Sequence, residues 1–187
     1  MRERLSAEDG SVMKFAYADP PYIGQAVRHY GRGGTSKRRT AADKNAAEVD
    51  HQALLDNLIE NYQDGWALSC SSPTLGKVLR MCDAKVRIGA WVKTFAVFKP
   101  GVNPGYCWEP VLFCGGRKLG RGVATVRDWI SCPVKLQGFI GAKPEPVCFW
   151  IFQMLGMENG DELADLFPGS GAVSRAWDRY RQQMFVA

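Results

Sequence analysis

Histidine is scarce in this 187-residue chain, with two in all. The six cysteines, Cys70, Cys82, Cys107, Cys114, Cys132 and Cys148, include no pair at C-x-x-C spacing. Together these leave a zinc site without the ligand pattern it needs, and no metal is expected. Most of the cysteines stand in apolar surroundings, where a reduced thiol packs as a small core residue; a reducing, cytoplasmic compartment is the expectation. No apolar run is long enough to cross a bilayer, so no membrane partner is expected. The first residues, Met1-Arg2-Glu3-Arg4, carry mixed charge and lead into no apolar stretch, so no secretory signal is read there. Internal repeats are lacking too, which sets repeat architectures aside.

What is present fits one globular domain: 46% hydrophobic and 23% charged residues in a chain long enough to bury a sizeable core. Residues 1–13 are polar and aperiodic and read as an N-terminal arm. Residues 14–187 read as a single domain. The net charge of +5 points only weakly to a polyanionic partner. Its distribution says more. Arg28, Arg32, Lys37, Arg38 and Arg39 crowd one Gly-rich stretch, and Arg117, Lys118 and Arg121 crowd another.

Patterning alternates between strand and helix. Lys14 to Asp19 is a short apolar run stopped by prolines, a buried strand. Leu54, Leu55, Leu58, Ile59 and Tyr62 recur at helical spacing, and Trp66 to Cys70 reads as a second buried strand. Leu75, Val78, Leu79 and Cys82 mark another helix. Val86 to Phe98 alternates as a strand, with Val86, Ile88, Ala90 and Val92 on one face; Val111 to Cys114 reads as its neighbour. Gly115 to Ile140 is irregular. Val147, Trp150, Ile151, Met154 and Leu155 form a helical stripe, and Glu162 to Phe167 a strand. A last helix turns Val173, Trp177, Tyr180 and Met184 inward. This order implies an α/β fold with a mostly parallel sheet covered by helices on both faces.

Two motifs carry chemistry. Asp19-Pro20-Pro21-Tyr22 follows the first strand, where open α/β sheets place their ligands. A carboxylate and a backbone carbonyl there can accept the two N–H bonds of an exocyclic amine, such as that of adenine, whose lone pair is delocalised into its ring. Pro21 has no N–H to engage the Pro20 carbonyl in helix pairing. The ring of Tyr22 offers a flat face to an extruded base. Asp165-Leu166-Phe167-Pro168-Gly169-Ser170-Gly171 lies between a strand and a helix. Glycines there let the backbone approach a ligand, and the free N–H groups of the helix start attract a carboxylate. A strand-ending turn and a helix-capping turn are the plainer readings of the two.

Asp-Pro-Pro-Tyr after an apolar strand resembles the catalytic motif of amino-methyltransferases acting on DNA or RNA bases. The second motif resembles their D-x-F-x-G-S-G cofactor loop. Lys143-Pro144 resembles the Lys-Pro element that precedes that loop. Trp91-Val92-Lys93 and Glu109-Pro110-Val111-Leu112 resemble the mid-domain W-x-K and E-x-x-L elements, although Lys93 and Glu109 equally suit an edge-strand ion pair. Catalytic motif first and cofactor motif last is the order of β-type DNA amino-methyltransferases. It is also that of the messenger-RNA adenosine methyltransferase family with its bacterial and phage relatives.

The resemblance runs from about Lys14 to the end. It implies a Rossmann-like methyltransferase sheet and S-adenosylmethionine (SAM) as cofactor. Asp19, Pro20, Pro21 and Tyr22 would be catalytic; Asp165, Phe167, Gly169, Ser170, Gly171 and Lys143 would bind the cofactor. Adenine N6 in DNA is the first target, cytosine N4 or RNA adenine the alternatives; a silent binding subunit of a methyltransferase complex is the reading from another class. The chain shows no separate recognition domain. The basic residues from Arg28 to Arg39 and a short recognition insert near 117–141 are therefore expected to contact nucleic acid, with a second copy of the chain or a partner subunit as a source of further surface. A phage-infected or bacterial cell is the setting this implies.

Overall fold

The computed structural model describes residues 11–25, 48–82, 85–95, 100–134 and 142–184. Its first strand, β1 (Lys14–Ala18), is buried from Phe15 to Ala18. A short apolar run with both faces covered belongs at the centre of a parallel sheet. There β1 lies between β2 (Gly65–Ser69) and β6 (Glu162–Asp165), parallel to both. With β3 (Arg87–Val92), β4 (Trp108–Gly115) and β5 (Trp129–Ser131) the sheet runs β5-β3-β4-β2-β1-β6. Only β4 opposes its neighbours, so five of the six described strands point one way.

Helices cover both faces. On one lie α1 (His51–Asn61) and α2 (Leu75–Met81), which set Leu55, Leu58 and Val78 against Ala16, Trp66 and Leu112. Asp50 caps α1 by accepting the Ala53 N–H at 3.0 Å. On the other lie α3 (Glu145–Met154) and α4 (Ala172–Met184), packed through Phe152 and Trp177 with ring centroids 5.2 Å apart. This is the α/β architecture that the alternating pattern implied.

Three local expectations fail for physical reasons. The strand read from Val86 stops at Val92, and the face turned inward is that of Gly89 and Trp91 rather than Ile88 and Val92. The cause is Trp150 of α3. Its indole lies where a Cβ on Gly89 would be, 2.8 Å away, while the Trp91 N–H donates to the Cys132 carbonyl at 3.0 Å. Within the stretch read as irregular, Trp129 to Ser131 form β5 by main-chain pairing to β3. At the end of α4 Met184 is exposed, and Ala176 takes the inner position.

Candidate active site

Strand register assembles the site. Tyr17 of β1 pairs with Asp165 of β6, and the Leu166 N–H continues the ladder onto the Tyr17 carbonyl at 3.0 Å. The strands are parallel, so Asp19 and the Asp165–Gly171 loop leave the sheet side by side at its carboxyl edge. The two motifs, far apart in sequence, meet as methyl donor and acceptor must.

Around Asp19 the structure builds a buried charge cluster. Lys143, just ahead of α3, donates to Asp19 Oδ1 at 2.7 Å and to the Tyr22 hydroxyl at 3.3 Å. The Tyr22 hydroxyl donates to Glu109 Oε2 at 2.9 Å. Glu109, near the start of β4, takes the Lys93 ammonium on Oε1 at 2.5 Å and has Lys143 at 3.6 Å. The lysine read from resemblance as a cofactor contact thus lies on the catalytic carboxylate, its side chain only 5% exposed. Trp91 forms an apolar wall, with the Lys93 and Lys143 ammonium groups 5.2 and 5.9 Å from its ring centroid.

Burial and charge oppose each other here. Burial raises the Asp19 carboxyl above the ordinary carboxylate value, and the Lys143 ammonium offsets this only in part. Burial also works on Glu109, but Lys143 and Lys93 outweigh it and hold that carboxyl below its ordinary value. Lys143 loses solvation, yet Asp19, Tyr17 and Glu109 together raise it above the ordinary lysine value, so it stays charged. Burial, followed by the Glu109 and Asp19 carboxylates, pushes the Tyr22 phenol well up.

In the second loop Asp165 Oδ2 accepts the Ser174 hydroxyl at 3.1 Å, whereas Oδ1 is buried without a hydrogen-bond partner. Gly169 and Gly171 have φ of 44° and 71°, the left-handed region that favours glycine. Pro168 O accepts the Gly171 N–H, closing the turn.

No protein-family model matches the chain, and neither does any curated protein. A six-stranded, mostly parallel sheet with two loops meeting at its carboxyl edge does have solved counterparts. The fold resembles that of M1.HpyAVI. Its SAM complex matches with a TM-score of 0.58 at 16% identity, over 91% of this chain and 80% of that one. A second structure of M1.HpyAVI matches with a TM-score of 0.53 at 12% identity, over 91% and 77%. The likeness to M1.HpyAVI is one of fold, and it accords with the Rossmann-like α/β sheet expected from the motifs.

Residues along the remaining basic stretches fall differently. Arg28, Arg32, Lys37, Arg38 and Arg39 lie outside the described residues. Arg117 belongs to the opposite edge of the sheet from Asp19. It donates to the Gly156 carbonyl at 3.2 Å and to Asp161 at 2.7 Å, just before β6 begins. That arginine is a structural clasp: Asp161 Oδ1 also accepts the Met13 N–H ahead of β1, at 3.0 Å. Of the stretch read as a recognition insert, only the part after β5 returns toward the site, and residues 135–141 lie outside the description. Glu109 and Lys93 stood outside the expected site residues. The signal was the pairing of Glu109 with Trp91 across β3 and β4, which places the carboxylate beside the indole.

Proposed function

We propose that the chain is a SAM-dependent methyltransferase acting on an exocyclic base amine of nucleic acid, with adenine N6 in DNA as its target. The observation that carries this is the adjacency of the Asp19 motif and the Asp165–Gly171 loop at neighbouring strand ends. The residues present fit the cofactor. A buried carboxylate oxygen without a partner, Asp165 Oδ1, suits a donor such as the methionine ammonium. Two left-handed glycines beside it open the backbone to close approach. M1.HpyAVI, whose fold this chain shares, is solved with SAM.

When bound, SAM supplies an electrophilic methyl group. The chain's part is to place the acceptor. Lys143 holds Asp19 Oδ1, which leaves Oδ2, without a partner among the described residues, to accept an amine N–H. The Pro20 carbonyl accepts the second. These contacts favour the pyramidal nitrogen of the transition state, where lone-pair density is freed for attack. Tyr22, its hydroxyl fixed by Glu109, presents its ring for stacking.

Incubation with methyl-labelled SAM and separate DNA and RNA pools, then mass spectrometry of the nucleosides, tests this. N6-methyladenine in DNA is expected. N4-methylcytosine, or methyladenosine in RNA, would reassign the target, and no label in any pool would overturn the enzymatic reading in favour of a silent binding subunit.

Gly171→Val is expected to weaken SAM binding about tenfold or more, since a β-branched residue at such φ stores roughly 1–3 kcal/mol of strain. Calorimetry on the folded variant measures it; unchanged affinity would move the cofactor elsewhere. On the sequence alone we assign phosphate contacts to Arg28, Arg32, Lys37, Arg38 and Arg39, which follow the catalytic motif within twenty residues. Replacing Arg32, Lys37, Arg38 and Arg39 with Ala should lower the salt dependence of DNA binding by up to about 3 units of log–log slope. A slope equal to that of the parent protein would leave this loop without a role in binding.

A further inference from the structure

We infer that Glu109 is a positioning residue for methyl transfer, holding the Tyr22 ring and, through Lys143, the Asp19 carboxylate in their working geometry. The inference rests on the methyltransferase reading above. Glu109 touches neither motif in sequence. It reaches both through two hydrogen-bonding steps, Tyr22 hydroxyl to Oε2 at 2.9 Å and Lys143 between Oε2 at 3.6 Å and Asp19 Oδ1 at 2.7 Å.

Charge balance explains why a carboxylate stands there. Lys93 and Lys143 have side chains only 16% and 5% exposed, and with Asp19 and Glu109 they form a neutral set of four charges. Without Glu109 the two ammonium groups would compete for Asp19 alone. Lys143 would then be free to engage both carboxylate oxygens, including the one the amine needs. A purely structural ion pair needs only Lys93. The additional bonds to Tyr22 and Lys143 tie Glu109 to the groups that face the base.

The groups facing Asp19 are Lys143, Glu109, Asp165, Tyr17, Tyr22 and Cys148, with Lys93 behind Glu109. After burial, which Lys143 partly offsets, Glu109 is among the charges that raise the Asp19 carboxyl. Removing its charge while keeping its shape must therefore lower the pH at which Asp19 ionises.

The experiment compares the parent protein with Glu109→Gln and Tyr22→Phe. The readouts are SAM affinity by calorimetry, kcat and KM, the pH profile of kcat/KM, and the titration of a 13C-labelled Asp19 carboxyl by NMR. For Glu109→Gln, kcat should fall about tenfold or more with SAM affinity kept within about twofold, as for a contact that acts on the transition state. Both the acid limb and the NMR titration should move to lower pH. Because Glu109 acts through Tyr22, the double variant should lose less than the product of the two single losses. An active parent whose limb and titration are unmoved by Glu109→Gln would overturn the role of Glu109 and leave the function standing. A parent that methylates no nucleic acid would overturn the function and this role with it, whatever the titration shows.

Discussion

Asp19→Ala should lose methyl transfer almost completely, on the order of a hundredfold or more in kcat, while binding SAM nearly as the parent does. The reason is a division of labour between neighbouring strands. Asp19 stands beyond β1 and faces the acceptor, whereas the SAM loop is built on β6 and the start of α4, with Asp165 anchored by Ser174. Asp19→Asn sharpens the test, because it keeps an acceptor for Lys143 and loses only the charge. Its stability should stay within about 1 kcal/mol of the parent, since a buried ion pair returns little beyond its desolvation cost. The raised Asp19 carboxyl makes the same point: its ionised form costs the fold stability above that raised value. A stable but inactive Asp19→Asn protein is the signature of a residue kept for chemistry. A fully active Asp19→Ala protein would refute the assignment. Nucleoside mass spectrometry, calorimetry and urea unfolding together read all three quantities.

Lys143→Ala should harm both folding and catalysis, for a different reason. The side chain is 5% exposed and serves Asp19, Tyr22 and Glu109 at once. Removing one member of such a cluster leaves buried carboxylates uncompensated, at a cost of about 3 kcal/mol. The parent lysine is raised above its ordinary value, so its contribution is fully present below about pH 10 and is lost only as pH climbs through the folded value. In the variant Asp19 is freed from the charge that opposed its burial, and its carboxyl rises further. The folded state then holds a proton that the unfolded chain releases, so the stability deficit should be larger at pH 8 than at pH 5. The acid limb of kcat/KM should move to higher pH, opposite to the shift expected for Glu109→Gln. Urea unfolding at the two pH values measures the first effect and the rate profile the second. Lys14→Ala is the control: Lys14 meets Glu162 at 3.8 Å, with the two side chains 66% and 64% exposed. Its loss should change stability by no more than about 0.5 kcal/mol. Equal losses at Lys14 and Lys143 would mean that the buried cluster has no special weight.

The parts of the site that could be read without a structure are those that local chemistry encodes. Asp19-Pro20-Pro21-Tyr22 stops a strand by proline sterics wherever that strand lies. Gly169 and Gly171 mark a left-handed turn because only glycine takes it without strain. Lys143 resisted such reading. A lysine next to a helix start is most often solvated, and its burial follows from Asp19, 124 residues away. Glu109 and Lys93 were visible as a pair, but their link to Tyr22 depends on β4 and β3 packing side by side.

The sequence by itself determined the alternation of strands and helices, the two motifs and their unusual order. These rest on interactions within a few residues: periodicity, proline and glycine backbone limits, and turn chemistry. Tertiary structure decided the rest. Ile88 and Val92 are as apolar as any core residue, and only Trp150 covering Gly89 decides which face of β3 is inside. β5 is a strand because β3 offers it a ladder, since three residues have too little pattern to declare one. The basic stretch from Arg117 read as a substrate contact until Asp161 and Gly156 claimed its first arginine at the far edge of the sheet. In each case a residue's own chemistry allows two environments, and a partner distant in sequence selects one.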